Sequence, residues 1–261
     1  MTVFYFTATG NSLEVVNALP DAKKMSIPQV LRSRERYFCD DVIGVVFPVY
    51  FSDVPNAVKR FLEEVRLEAE YMFAILTYGE VKGLAVSRLQ RAARGVGLEF
   101  DYINSVKMVD NYYPLYDVAR QVDNLPKKRV KEKLDIIRTD VATRLKRAEN
   151  VDVFDRLAGV AVLFKPDYTK HSQRFYVEEG KCTRCGICEI VCPSGDLVCD
   201  NGIPRFRSEV CEACGACTHN CPQNAIRYRG ERSPNRYRNS NISLNDIIKA
   251  NGYTKDVNEK E

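Results

Sequence analysis

Ten cysteines are the residues best equipped for chemistry in this chain of 261, and nine of them fall between Cys182 and Cys221. They form a repeat. Cys182-Thr-Arg-Cys185-Gly-Ile-Cys188-Glu-Ile-Val-Cys192-Pro193 recurs 29 residues later as Cys211-Glu-Ala-Cys214-Gly-Ala-Cys217-Thr-His-Asn-Cys221-Pro222. Three thiolates set this close on a tight loop can all turn inward onto one iron–sulfur cubane, and Gly186 and Gly215 relax the backbone there. Two copies of a C-x2-C-x2-C-x3-C-P run imply two [4Fe-4S] clusters. A zinc site would use paired C-x2-C units with a longer spacer, leaving the third and fourth cysteine of each copy without a role. Cys39 and Cys199 stand outside the repeat and read as small buried hydrophobes. His219 sits between Cys217 and Cys221, but no cysteine is missing for it to replace, so it reads as a loop side chain; His171 belongs to no motif.

Residues 175–228 resemble a two-cluster bacterial-type ferredoxin domain. The resemblance implies one-electron carriage at low potential, with the fourth cysteine of each run crossing to the other cluster. It assigns Cys182, Cys185, Cys188 and Cys221 to one cluster, and Cys211, Cys214, Cys217 and Cys192 to the other.

A second constellation lies at the N-terminus, where an apolar run ends in Thr7-Ala8-Thr9-Gly10-Asn11-Ser12 just before a helical pattern. Hydroxyls and a glycine at a helix N-terminus suit a phosphate, because free backbone N–H groups and the positive end of the helix dipole point outward there. Thr9 or Asn11 acting as a plain helix cap is the bland alternative. No GxxxxGK[ST] loop and no GxGxxG after a strand is present, which argues against P-loop and dinucleotide sites. The run is similar to the FMN phosphate loop of flavodoxins, whose doubly wound sheet binds FMN at its switch point. That resemblance makes Pro48-Val49-Tyr50-Phe51-Ser52 and Thr77-Tyr78-Gly79-Glu80 the two loops around the flavin ring, with Asn111-Tyr112-Tyr113 closing the pocket. The chain has no Trp, so a stacking partner must be Tyr or Phe. Pro20 shortens the first helix, and a homodimer in which a second copy completes the pocket is one arrangement this leaves open.

The elements that must carry these loops are legible as alternating runs. Val3 to Ala8, Val42 to Phe51, Tyr71 to Gly79 and Phe100 to Val109 read as strands, with Lys23 to Ile27 weaker, and their near-continuous hydrophobicity suits a parallel sheet covered on both faces. Helices are expected at Ser12 to Leu19, Val54 to Val65 and Gly83 to Gly95, and a long one from Pro126 through Val130, Leu134, Ile137, Val141, Leu145 and Ala148, whose basic face reads as solvated surface. The expected fold class is α/β: a flavodoxin-like, doubly wound parallel sheet of five strands in order 2-1-3-4-5, plus a small α+β ferredoxin domain. The expected domains are 1–150, a linker over 151–174 with a strand at Leu157 to Lys165, the ferredoxin part over 175–230, and a polar tail over 231–261 that frays or wraps the domains.

Thirty-nine Lys and Arg against 35 Asp and Glu leave a charge of +4, far from the basicity of a dedicated nucleic-acid binder. The N-terminus lacks a signal peptide's basic region, and no run nears the ~20 apolar residues of a membrane span, so the cytoplasm is expected. Taken over nearly its whole length, down to Arg232-Ser-Pro-Asn-Arg236-Tyr-Arg238-Asn, the chain resembles the flavodoxin–ferredoxin fusion (ferrodoxin) family. That family implies electron transfer between two [4Fe-4S] clusters and FMN, with redox proteins as donor and acceptor. Two other readings are a flavin-dependent reductase of a small substrate fed by the clusters, its pocket lined by Tyr50, Tyr78 and Tyr112, and a flavin-free docking module. No acid/base pair or nucleophilic triad stands out, so no catalytic residue is assigned.

Overall fold

The computed structural model describes residues 1–150, 155, 157, 172–207 and 210–252. Strand β1 (Thr2–Tyr5) is followed by α1 (Asn11–Asn17), β2 (Lys23–Ser26), α2 (Ile27–Arg32), β3 (Tyr37–Cys39), β4 (Val42–Pro48) and α3 (Asn56–Glu64). Then come β5 (Arg66–Glu68), β6 (Tyr71–Tyr78), α4 (Ala85–Gly95), β7 (Tyr102–Lys107), α5 (Val118–Asp123), α6 (Val130–Ala142) and β8 (Arg147–Ala148). Six of these strands form one sheet in the order β2-β1-β4-β6-β7-β8, every pair parallel.

Side chains alternate across this sheet into two apolar layers. Phe4, Ile43, Val45, Phe47 and Leu76 pack on α3 and α4 through Val58, Phe61 and Leu89. Val3, Tyr5, Val46, Phe73 and Ile75 pack on the opposite side with Val15 and Val16 of α1 and Ile137 and Val141 of α6. Burial on both faces is what the unbroken hydrophobic strands require.

The sheet has one strand more than the expected five. The sequence pattern carried the last helix to Ala148, but α6 ends at Ala142, Arg144 turns to a left-handed φ of 50°, and Arg147–Ala148 joins the sheet edge. There Arg147 N–H donates to Asp101 O at 2.8 Å and Glu149 N–H to Ile103 O at 2.9 Å. The edge of β7 supplies acceptors that a continuing helix would leave unpaired. Pro126 lies in a separate 3-10 turn, Leu125–Lys128, cut off from α6 by Arg129 at φ 50°. Cys39 is exposed rather than buried: among the described residues β3 pairs only with β5, and the two-residue alternation turns Phe38 to the core and Cys39 outward. The strand expected over 157–165 lies, Leu157 apart, outside the described residues.

In the C-terminal part, β9 (Phe175–Val177) pairs antiparallel with β12 (Ile226–Tyr228). The strands β10 (Leu197–Asp200) and β11 (Ile203–Phe206) form a hairpin turned by Asn201-Gly202, both at positive φ as a two-residue turn requires. Short helices α7 (Ile187–Ile190) and α8 (Ala216–His219) follow the first and second cysteine loops. The tail carries α9 (Leu244–Asn251), which opens with a capping box between Ser243 and Asp246. Val191, Ala216, Ile242, Ile247 and Ala250 join the α1–α6 layer, so the cysteine-bearing part and the tail share a core with the sheet. Among the described residues no helix is long and apolar enough to cross a membrane.

Candidate functional site

The turn between β1 and α1 is built as a cradle. Thr7 Oγ1 accepts the Gly10 N–H at 3.1 Å, and the first intrahelical bond of α1 runs from Glu14 N to Gly10 O at 2.9 Å. The N–H groups of Asn11, Ser12 and Leu13 therefore belong to the turn that has no intrahelical acceptor. Ser12 Oγ and Thr77 Oγ1 lie 2.9 Å apart, tying the cradle to the end of β6. Gly10 has φ +100°, and a Cβ there would stand 2.8 Å from Ile242 Cβ, so only glycine fits beneath the tail.

The three loops named from the sequence converge on one cavity of about 340 Å³. Thr7, Ala8, Thr9, Asn11 and Ser12 line one end, Pro48–Ser52 and Thr77–Gly79 form the sides, and Asn111 and Tyr112 reach in from the end of β7. Of the cradle and loop residues named from the sequence, Gly10 and Glu80 do not line the cavity: Gly10 is turned toward Ile242, and the Glu80 carboxylate meets Lys107 at 2.9 Å. Phe51 and Ser52 hold left-handed φ values of 49° and 58°, unusual for residues with side chains. Asp53 secures them: it exchanges backbone hydrogen bonds with Tyr50 at 3.1 and 2.9 Å, and its buried carboxylate meets Lys59 at 2.9 Å and Arg88 at 3.4 Å. The rings of Phe51 and Tyr112 touch edge to face at 5.4 Å and make one continuous wall.

Sequence reasoning missed Asp110. Its carboxylate accepts the Glu80 N–H at 2.9 Å and the Tyr112 N–H at 3.0 Å, joining the β6 and β7 loops. Burial raises its pKa, against the pull of those two donors. The bond to Tyr112, two residues on, is an Asx turn, a signal that an Asp before Asn111-Tyr112 offers to a reader looking for it.

The cysteines gather as two sets. Cys182, Cys185, Cys188 and Cys221 line one small cavity together with Gly186 and Pro222. In the other set, burial pushes the Cys214 and Cys217 thiols well above their usual range, and the nearby sulfurs of Cys192 and Cys211 add to it. Thiols so placed become thiolates only when a cation shares the site, the condition a metal cluster meets. Backbone N–H groups already aim at sulfur, Ala213 at Cys211 (3.4 Å) and Ala225 at Cys221 (3.3 Å). Among the described residues no group of three or more His, Cys, Asp or Glu side chains is placed to hold a single metal ion. Cys199, expected as a buried hydrophobe, is half-buried with its thiol against Cys188 and Glu189.

His219 is more than a loop side chain. Its Nδ1 accepts the Tyr237 N–H at 3.1 Å, so Nε2 carries the proton and donates to Asn111 O at 2.9 Å. Its ring meets Tyr113 edge to face at 5.1 Å and lines the large cavity beside Ala213, Cys214 and Gly215. The cysteine-bearing part therefore supplies a wall of the cavity that the β1–α1 cradle opens. Further ties join the two parts. Asn220 Nδ2 donates to Ala8 O at 3.1 Å, Asn251 Nδ2 to Thr7 O at 2.9 Å, and Arg32 to Pro193 O at 2.8 Å.

The cysteine-bearing part agrees with what the chain is similar to in sequence. The 4Fe-4S binding domain matches residues 175–197 and 204–227. The delta subunit of NADH-dependent phenylglyoxylate dehydrogenase from Aromatoleum evansii is 31% identical over 83 residues, 30% of this chain and 87% of that subunit. Pyruvate synthase subunit PorD from Thermotoga maritima is 36% identical over 52 residues, 20% of this chain. The chain spans about half the length of that subunit, 52%. The solved structure of a protein named "Putative flavoprotein", from Bacteroides uniformis ATCC 8492, matches 41% of this chain and 89% of its own at 16% identity and a TM-score of 0.33. Through its cysteine-bearing part the chain belongs to the ferredoxin-type 4Fe-4S family.

Proposed function

We propose that this protein passes single electrons between two [4Fe-4S] clusters and an FMN held by a flavodoxin-like domain over residues 1–150. The observation that carries the reading is the shared cavity: the phosphate cradle, both ring loops and Cys214 line one space of about 340 Å³, within the range of small-molecule sites. When bound, the clusters would supply one electron at a time, and the flavin would hold one or two. The chain's own residues do the rest. The first turn of α1 offers N–H donors to a phosphate without a lysine, Asp110 fixes the separation of the β6 and β7 loops, and the Phe51–Tyr112 wall excludes water from one side. His219 has both nitrogens committed and serves as a strut, not a proton donor. The cross-assigned cysteine sets, and the boundaries at 151, 175 and 231, belong to this reading.

Ten thiols without a disulfide suit a reducing compartment such as the cytoplasm, with redox proteins as donor and acceptor. One observation favours the second reading, a reductase of a small substrate: the lining of the cavity extends past the ring loops to Leu115 and Tyr116. Anaerobic purification with assay of iron, acid-labile sulfide and flavin tests the first reading. It expects about eight irons, eight sulfides and one FMN per chain. Zinc in place of iron, or clusters without flavin, would overturn it.

A further inference from the structure

The two cysteine sets are not equivalent in their surroundings. Cys185 is exposed and Cys182 and Cys221 are half-buried, and the cavity these line with Cys188 is rimmed by exposed Pro222 and Gln223. In the other set Cys192 and Cys217 are buried, while Cys214, with Ala213 and Gly215 beside it, lines the cavity of the phosphate cradle. The sets adjoin: Cys188, Cys192 and Cys217 pack in one buried cluster, with Cys211 against it. Glu212, between Cys211 and Cys214, is pinned to the start of α3. Its carboxylate accepts the N–H groups of Asn56 at 3.0 Å and Ala57 at 2.6 Å, which fixes the inner loop against the sheet domain.

We infer that the sets act in series, Cys182, Cys185, Cys188 and Cys221 forming the outer port to a one-electron redox protein and Cys192, Cys211, Cys214 and Cys217 the inner relay to the flavin pocket. The order rests on the cluster-and-flavin reading above and follows from distance. Electron tunnelling weakens steeply with separation, so the set that lines the pocket exchanges with it fastest and the set at the surface exchanges fastest with a partner. Each delivery oxidises one donor protein by one electron and makes or breaks no covalent bond in the relay. Two deliveries, with two protons from solvent, fully reduce one flavin.

The test uses the whole holoprotein, the wild type beside Cys185→Ser and Cys214→Ser. In Cys185→Ser the flavin absorption band and midpoint potential stay at wild-type values, while flavin reduction by a reduced ferredoxin slows about tenfold or more. Cys214→Ser shifts the flavin band or its potential. A Cys185→Ser protein that moves the flavin band while Cys214→Ser leaves it alone would overturn the order. A second measurement needs no substitution. Wild type is treated with limiting ferricyanide and a thiol-alkylating reagent, and the labelled cysteines are mapped by mass spectrometry. Cys182, Cys185 and Cys221 label before Cys211, Cys214 and Cys217, and removal of FMN speeds labelling of Cys214 alone among the eight. Early labelling of the inner set with FMN bound would overturn the order, and wild type that holds no FMN would overturn the underlying reading together with it.

Discussion

His219 shows how a single side chain acquires a role that its sequence neighbours do not announce. Between Cys217 and Cys221 it reads as a loop side chain; folded, it bridges Tyr237 and Asn111 across two parts of the chain. Burial lowers its pKa to about 3, Arg236 adding to the effect and the Asn111 carbonyl opposing it. The sign follows. The unfolded imidazole takes a proton below its ordinary 6.5 and the folded one does not, so the stabilising contribution is complete above 6.5 and is lost as pH falls toward 3. With only two histidines in the chain, nitrogen NMR separates them readily. The His219 signals are expected to show the Nε2–H form and no titration between about pH 5 and 8. A midpoint near the ordinary value, or a proton on Nδ1, would contradict the bridge.

At the scale of elements, α3 begins after Pro55 with no side-chain cap of its own, and its first donors are met by Glu212 from the second cysteine loop. Burial raises the Glu212 pKa to about 6, against the pull of those backbone donors. Glu212→Ala leaves two N–H groups without their acceptor and is expected to cost about 1–3 kcal/mol in denaturant unfolding, with Glu212→Gln restoring part of it. An unchanged midpoint would mean that water replaces the carboxylate. Such a contact could not be read from sequence, since α3 and Glu212 lie far apart in the chain and no periodicity links them. What was legible is what local pattern controls: β1, β4 and β6 announce themselves as near-continuous apolar runs, β7 does so less plainly with Asn104 and Ser105 inside it, and the cysteine spacing marks the repeat. The end of α6 misled because an apolar stripe can continue into a strand. Only the acceptors on the edge of β7 decide that Arg147–Ala148 pairs there.

For the whole molecule, the polar tail is the element that decides whether the two parts behave as one. Expected over 231–261 to fray or wrap, it wraps over its described residues, 231–252. Asn239 N–H reaches Thr9 O at 2.8 Å, Tyr237 Oη donates to Asn11 Oδ1 at 2.8 Å, and Asn251 Nδ2 reaches both Thr7 O at 2.9 Å and Val191 O at 3.2 Å. Ile242, Ile247 and Ala250 fill the core between α1 and the cysteine-bearing part. Because the same residues satisfy both parts, neither can open without exposing apolar surface or orphaning carbonyls of the other. Full-length protein is therefore expected to unfold in a single calorimetric transition despite its two-part organisation. Asn251→Ala, which removes one donor from two buried carbonyls, is expected to lower stability by about 1–3 kcal/mol and Tm by several degrees. Deleting residues 237–261 goes further, baring the Ile242 contact above Gly10 and the α9 face, and is expected to split the transition in two. Two transitions in the full-length chain, or one in the truncated form, would show that the tail lies on the molecule without coupling it.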